Sequence, residues 1–159
     1  MGRRKTVIKR RDIGVDPLYQ SEVIQRLINV VMKKGKKNVA RKIVYDALAI
    51  LAKRYGEGDK ALEAFQKSYD QIVPLVEVKS RRVGGSAYQV PTEVSQARGR
   101  SLALRWLISG AASRTDKTMG LRLGHELLEA YEGRGGAMKK RLDVHKMAEA
   151  NRAFSHYSW

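Results

Sequence analysis

Few residues of this chain have types and spacings suited to chemistry. His125, His145 and His156 are its only histidines, and it has no cysteine in 159 residues. Thiolate metal sites and disulfides are therefore excluded, which fits a reducing compartment. His125-Glu126 begins like a zinc-hydrolase helix, in which a second histidine four residues on shares the metal. Position 129 is Glu, so the second ligand is missing. His145, close to Asp143, reads as a surface or packing residue, and His156 stands among C-terminal aromatics where it can stack or titrate. Gly35-Lys36-Lys37 resembles the end of a phosphate loop but lacks the leading Gly and the trailing Ser/Thr, since Asn38 follows. It still sets cations and free amides at a helix N-terminus, which favours contact with a nucleic-acid backbone over ATP chemistry. Gly133-Arg134-Gly135-Gly136 is either a second phosphate cradle or a loop between helices. These residues predict a protein that is not an enzyme, with no cofactor, metal or small-molecule substrate.

The charge points to a partner. Lys and Arg number 32 against 16 Asp and Glu, a net charge of +16. Self-repulsion of that size opposes compaction, and a polyanionic partner is the usual reason to tolerate it. Nucleic acid is the first candidate and an anionic membrane surface the second. No apolar run approaches the roughly 20 residues of a membrane span. The basic N-terminus has no apolar segment behind it, so it is not a secretory signal, and it is too short to argue for a transit peptide.

The cations are clustered. Residues 1–17 read as a basic N-terminal extension carrying Arg3, Arg4, Lys5, Lys9, Arg10 and Arg11, expected to order only on RNA. A second cluster, Lys33, Lys34, Lys36 and Lys37, falls between two helices. Arg98 and Arg100 form a third, and Lys139, Lys140 and Arg141 a further one. The last stands in residues 75–91, where two β-favouring runs flank Lys79, Arg81, Arg82 and the turn residues Gly84-Gly85. That pattern predicts a hairpin, and Tyr88 on its return strand is a candidate for stacking on an unpaired base. Alone, the hairpin is equally an edge strand kept from aggregating by its charges.

Helical periodicity dominates the remainder. The first helix should be capped by Ser21 and stop near Gly35. The second should run from Asn38 to Tyr55, with Val39, Ile43, Ala47 and Leu51 as a core stripe. The third follows Asp59 and ends before Pro74. Thr92 should cap a fourth helix directly after the hairpin, Thr115 or Asp116 should start a fifth, and a sixth should cover Ala137 to Arg152. Gly120 and Gly124, four apart, read as positions of close helix packing. The expected fold is mainly α: a single six-helix, bundle-like domain over 18–159 with one protruding two-stranded β-hairpin and a basic N-terminal tail.

Several basic elements on a compact helical body suit a folded RNA approached at many points along its backbone. A general nucleic-acid chaperone or DNA-compacting protein is the alternative from another class, and an RNA-acting enzyme a third. The run LVEVKSRRVGGSAYQVP, then Ala103-Leu104-Arg105-Trp106, resembles the small-subunit ribosomal protein seven family in its bacterial form. So do the lysine elbow followed by Ile43-Val44-Tyr45 and Ala47-Leu48, and the stretch VHKMAEANRAF closed by HYSW. The resemblance spans nearly the whole chain in one order. It implies a structural constituent of the small ribosomal subunit that binds the 3′ major domain of 16S-type rRNA and helps assemble the subunit head. It further implies a ribbon near exit-site tRNA and the mRNA path, contact with neighbouring small-subunit proteins, and a place on a cytoplasmic or organellar ribosome. Lys79, Arg81 and Arg82 then belong to the ribbon, Lys36 and Lys37 to the rRNA-facing elbow, and Arg3 through Arg11 to an rRNA-binding extension. Ser158 stands where the family commonly has a basic residue before the terminal Trp159.

Overall fold

The computed structural model describes residues 12–157. Among them are six α-helices, one two-stranded ribbon and a closing 3-10 turn. The helices are α1 (Glu22–Val31), α2 (Lys37–Tyr55), α3 (Asp59–Ile72), α4 (Gln96–Ala112), α5 (Met119–Tyr131) and α6 (Gly136–Ala150). Strands β1 (Val76–Val83) and β2 (Ser86–Glu93) lie between α3 and α4, and the 3-10 turn covers Arg152–Tyr157. The expected architecture of six helices and one hairpin is present.

The apolar spacing builds one core. Ile24, Leu27 and Ile28 of α1 are fully buried, as are Val44, Leu48 and Leu51 of α2, Phe65 and Ile72 of α3, Leu107 of α4, and Leu123 and Leu127 of α5. Each such side chain contributes on the order of 1.5–3 kcal/mol against an exposed reference. Helix α5 lies closely on α2 because Gly120 and Gly124 face it. A β-carbon at Gly124 would fall 2.5 Å from Ile50 Cδ1, and one at Gly120 would fall 2.8 Å from Asp46 Cβ.

Helix starts follow their caps more faithfully than their composition. Ser21 caps α1, its hydroxyl accepting from Ile24 N–H, as expected. Helix α1 ends at Val31, four residues before Gly35. Helix α5 begins at Met119 behind Thr118, whose hydroxyl accepts from Leu121 N–H at 3.3 Å. Asp116, expected near that start, instead binds Arg114 and His125. Thr92 caps nothing. It pairs with Glu77 inside the ribbon, and α4 begins only at Gln96. Pro91 sits opposite Val78 in the same ladder, which a two-stranded ribbon tolerates because both its strands are edges.

Asp16, within the expected extension, is fully buried. Its carboxylate accepts from Leu18 and Tyr19 N–H, both at 3.1 Å, and from the Tyr45 hydroxyl at 2.8 and 3.0 Å. Burial, reinforced by this carboxylate, pushes the Tyr45 hydroxyl up to about 12. The chain is therefore fastened to α2 one turn ahead of α1.

Candidate nucleic-acid interface

Two surfaces carry the expected contact residues, on different parts of the fold. The elbow joins α1 to α2, helices that pack on α3, α4 and α5. The ribbon lies on α6 and the 3-10 turn.

At the elbow, Lys33, Lys34, Lys36 and Lys37 are all exposed, and none meets a carboxylate among the described residues. The backbone turns tightly here: Lys34 has φ of 53° and Gly35 φ of 74°, and Lys36 N–H closes onto Lys33 C=O at 3.1 Å. No side chain caps the N-terminus of α2. Orphan amides, the positive end of the helix dipole and four ammonium groups thus share one surface, the electrostatics a phosphate ester selects. An apolar groove of about 360 Å³ adjoins it, lined by Val31, Val39, Ala40, Ile43, Ile108, Ala112 and Met119, with Lys33 and Lys36 at its rim. Val39, expected in the core, is 56% exposed and forms part of this groove. In the first turn of α2 it lies beyond the cover of the other helices, which periodicity alone does not reveal.

The ribbon is built for rigidity. Eight residue pairs run from Val76–Glu93 to Val83–Ser86 and close on Gly84-Gly85. Both glycines have positive φ, 58° and 86°, as a two-residue hairpin loop of the twist-compatible type requires. Alternation divides the tip cations. Arg81 pairs across the ladder with Tyr88 and is half-buried, whereas its neighbour Arg82 points to the opposite face and is exposed. Tyr88 is engaged by the protein itself, its ring 5.0 Å from Phe154 and 5.6 Å from Tyr157 of the 3-10 turn. This contact holds the C-terminal aromatics on the ribbon's inner face.

Glu77 lies buried at the ribbon base. Arg98 from α4 reaches it at 2.8 Å and Lys79 at 3.3 Å. The Arg98 guanidinium, opposed by burial and helped by Lys79, holds this carboxyl below its ordinary value. Lys79 and Arg98, assigned from sequence to different RNA-facing groups, thus meet on one internal acid. Arg100 is exposed, with its carbonyl accepting from the Tyr69 hydroxyl at 3.1 Å. Lys139 and Lys140 are exposed on α6, and Arg141 is half-buried with its Nε enclosed and unpartnered. Arg3, Arg4, Lys5, Lys9, Arg10, Arg11, Ser158 and Trp159 lie outside the described residues.

The His125-Glu126 motif and the Gly133–Gly136 loop have structural partners. Glu126, almost fully buried, accepts from Ala137 N–H at 2.8 Å and from Arg114 Nη1 at 3.1 Å. Arg114 also grips Glu129 through two bonds and Asp116 through Nε. The His125 ring lies 3.0 Å from Asp116. The glycine loop before α6 therefore cradles a protein carboxylate at its helix N-terminus, not a phosphate. No group of three acidic, His or Cys residues suited to a metal occurs among the described residues.

Residues 3–152 match the protein family described as ribosomal protein S7p/S5e. The chain belongs to this family. The chain is 49% identical to the small ribosomal subunit protein uS7 of Coxiella burnetii, strain RSA 493, over the full length of both. It is 55% identical to the protein of that name from Pseudomonas fluorescens, over 97% of this chain and 98% of the relative. For that from Idiomarina loihiensis the figures are 54%, 98% and 99%. The S7 family is a structural, non-enzymatic component of the small ribosomal subunit, and its bacterial members work on the cytoplasmic ribosome. Ribosomal membership accounts for the charge: an S7 protein lives against a polyanion and need not stabilise its cations alone.

Proposed function

We propose that this chain is a primary binder of the 3′ major domain of 16S-type rRNA, helps to assemble the subunit head, and directs its ribbon to exit-site tRNA and the mRNA path. The observation that carries the rRNA reading is the elbow: four exposed lysines without carboxylate partners, around a helix N-terminus that no side chain caps. The adjoining apolar groove offers an unstacked base a dry recess between phosphate-binding cations. The basic extension, Arg100 and the Lys139–Arg141 stretch add backbone contacts. Arg82 and the Gly84-Gly85 tip stand away from the elbow and are free to serve a second RNA ligand. Lys79 braces that ribbon from its inner face through Glu77.

Chemical footprinting of the purified protein on small-subunit rRNA tests this. Protection is expected to concentrate in the 3′ major domain. An isolated fragment of that domain should bind at least ~100-fold more tightly than random RNA in moderate salt. Replacing Lys33, Lys34, Lys36 and Lys37 by Ala should reduce the slope of log affinity against log salt by roughly three to four. Equal affinity for random RNA or duplex DNA would instead make the protein a general nucleic-acid chaperone.

A further inference from the structure

One groove departs from the charge pattern of the rest of the surface. It has a volume of about 550 Å³ and lies where the chain ahead of α1 crosses α2 and the start of α3. Ala49, Ala52, Ala61 and Leu62 form its apolar wall, and Leu18, 62% exposed, forms its lip. Glu57 and Asp59 stand at its rim, both exposed and neither in an ion pair among the described residues. No Lys or Arg lines it. Other grooves do carry cations: Arg26 and Arg105 beside α1 and α4, Lys67 and Arg141 beside α3, and Lys33 and Lys36 at the elbow.

In a chain with twice as many cations as acids, two carboxylates beside an exposed leucine and an alanine-lined wall make a surface that repels phosphate. Within a small ribosomal subunit the remaining neighbours are proteins. We propose that this groove docks a Lys/Arg-bearing segment of a neighbouring small-subunit protein. An apolar side chain of that segment seats against Leu18 and the alanines, while its cations pair with Glu57 and Asp59. Apolar contact supplies the affinity, and the carboxylates select a basic segment and exclude RNA. The preformed groove is held by buried contacts just inside it. Asp16 fixes the turn that presents Leu18, and Tyr19 packs edge-on against Tyr45 with ring centroids 5.8 Å apart.

The test uses the full-length protein with a photo-crosslinking amino acid at Leu18, assembled into complete small subunits with the other subunit proteins and rRNA. Irradiation should join Leu18 to a peptide of another subunit protein that carries Lys or Arg within a few residues of the linked position. In the same protein, Glu57→Lys with Asp59→Lys should reduce that cross-link about tenfold, because like charges then face the segment. All three positions are exposed, so this variant should fold and assemble with rRNA as the parent does, its unfolding midpoint lowered only slightly by the cation at the start of α3. A cross-link to rRNA, to a second copy of this chain or to an acidic peptide overturns the proposal. Absence of any cross-link in fully assembled subunits, or a cross-link indifferent to the charge reversal, also overturns it.

Discussion

Arg98 donates from Nε to both oxygens of Glu77, each at 2.8 Å, and so ties the first turn of α4 to the base of β1. The acid is buried and the guanidinium half exposed, which makes the pair an anchor with one wet side. Glu77→Gln keeps the shape and removes the charge. It should lower stability by about 1 kcal/mol, since solvent screens the exposed partner. Because the folded carboxyl titrates below its ordinary value of 4.5, its contribution is present above that pH and fades as acid titrates the folded group. Urea unfolding of both proteins between pH 3 and about 7 should show the difference at neutral pH shrinking under acid.

His145 offers a second pH-dependent tether. Its Nε2 accepts from Leu75 N–H at 3.2 Å, joining α6 to the segment that enters the ribbon. Burial, then the nearby Arg141, lowers its pKa from the ordinary 6.5. The unfolded chain therefore binds the proton more readily, and this stability is full above 6.5 and is lost as pH falls through the lower folded value. His145→Gln should flatten the dependence of the unfolding free energy on pH in that acidic window, as read by denaturant titration.

Close packing of α5 on α2 predicts a steric penalty. Gly124→Ala drives a methyl group toward Ile50 Cδ1, 2.5 Å from its ideal position. The expected cost is about 1–3 kcal/mol, seen as a lower unfolding midpoint. Ile50→Val in the same background should recover part of it.

The division of the ribbon cations gives separable phenotypes. Arg82→Ala alters an exposed outer-face residue and should leave thermal stability within about 0.5 kcal/mol and rRNA affinity unchanged. It should weaken retention of exit-site tRNA on assembled ribosomes, measured by filter binding. A loss of primary rRNA binding comparable to the elbow variant would contradict the separation of the two surfaces.

Much of this fold is legible in the sequence because local rules and burial agree. Ser21 caps where its hydroxyl predicts, and the Gly84-Gly85 turn takes the positive φ at both positions that glycine adopts without a β-carbon penalty. The misreadings occur where a tertiary partner outcompetes a local signal. Thr92 precedes Glu93 like an ordinary helix cap, yet pairing with Glu77 keeps it extended. Val39 fits the stripe of α2 but lies past the helices that would cover it. The clusters of Lys and Arg are visible as composition. Which of them meet an internal acid is not, because Glu77 is 21 positions from Arg98 and only the fold brings them together.

The Tyr88 contact with Phe154 and Tyr157 also sets an order of maturation. Chain synthesis delivers the hairpin well before the residues that lie against its inner face. Until the 3-10 turn leaves the translating ribosome, the ribbon has its ladder and its packing on α6 but not these aromatics. Residues made well after the hairpin therefore complete the inner face of the arm, so a polypeptide lacking Phe154 and Tyr157 would carry a ribbon with Tyr88 uncovered.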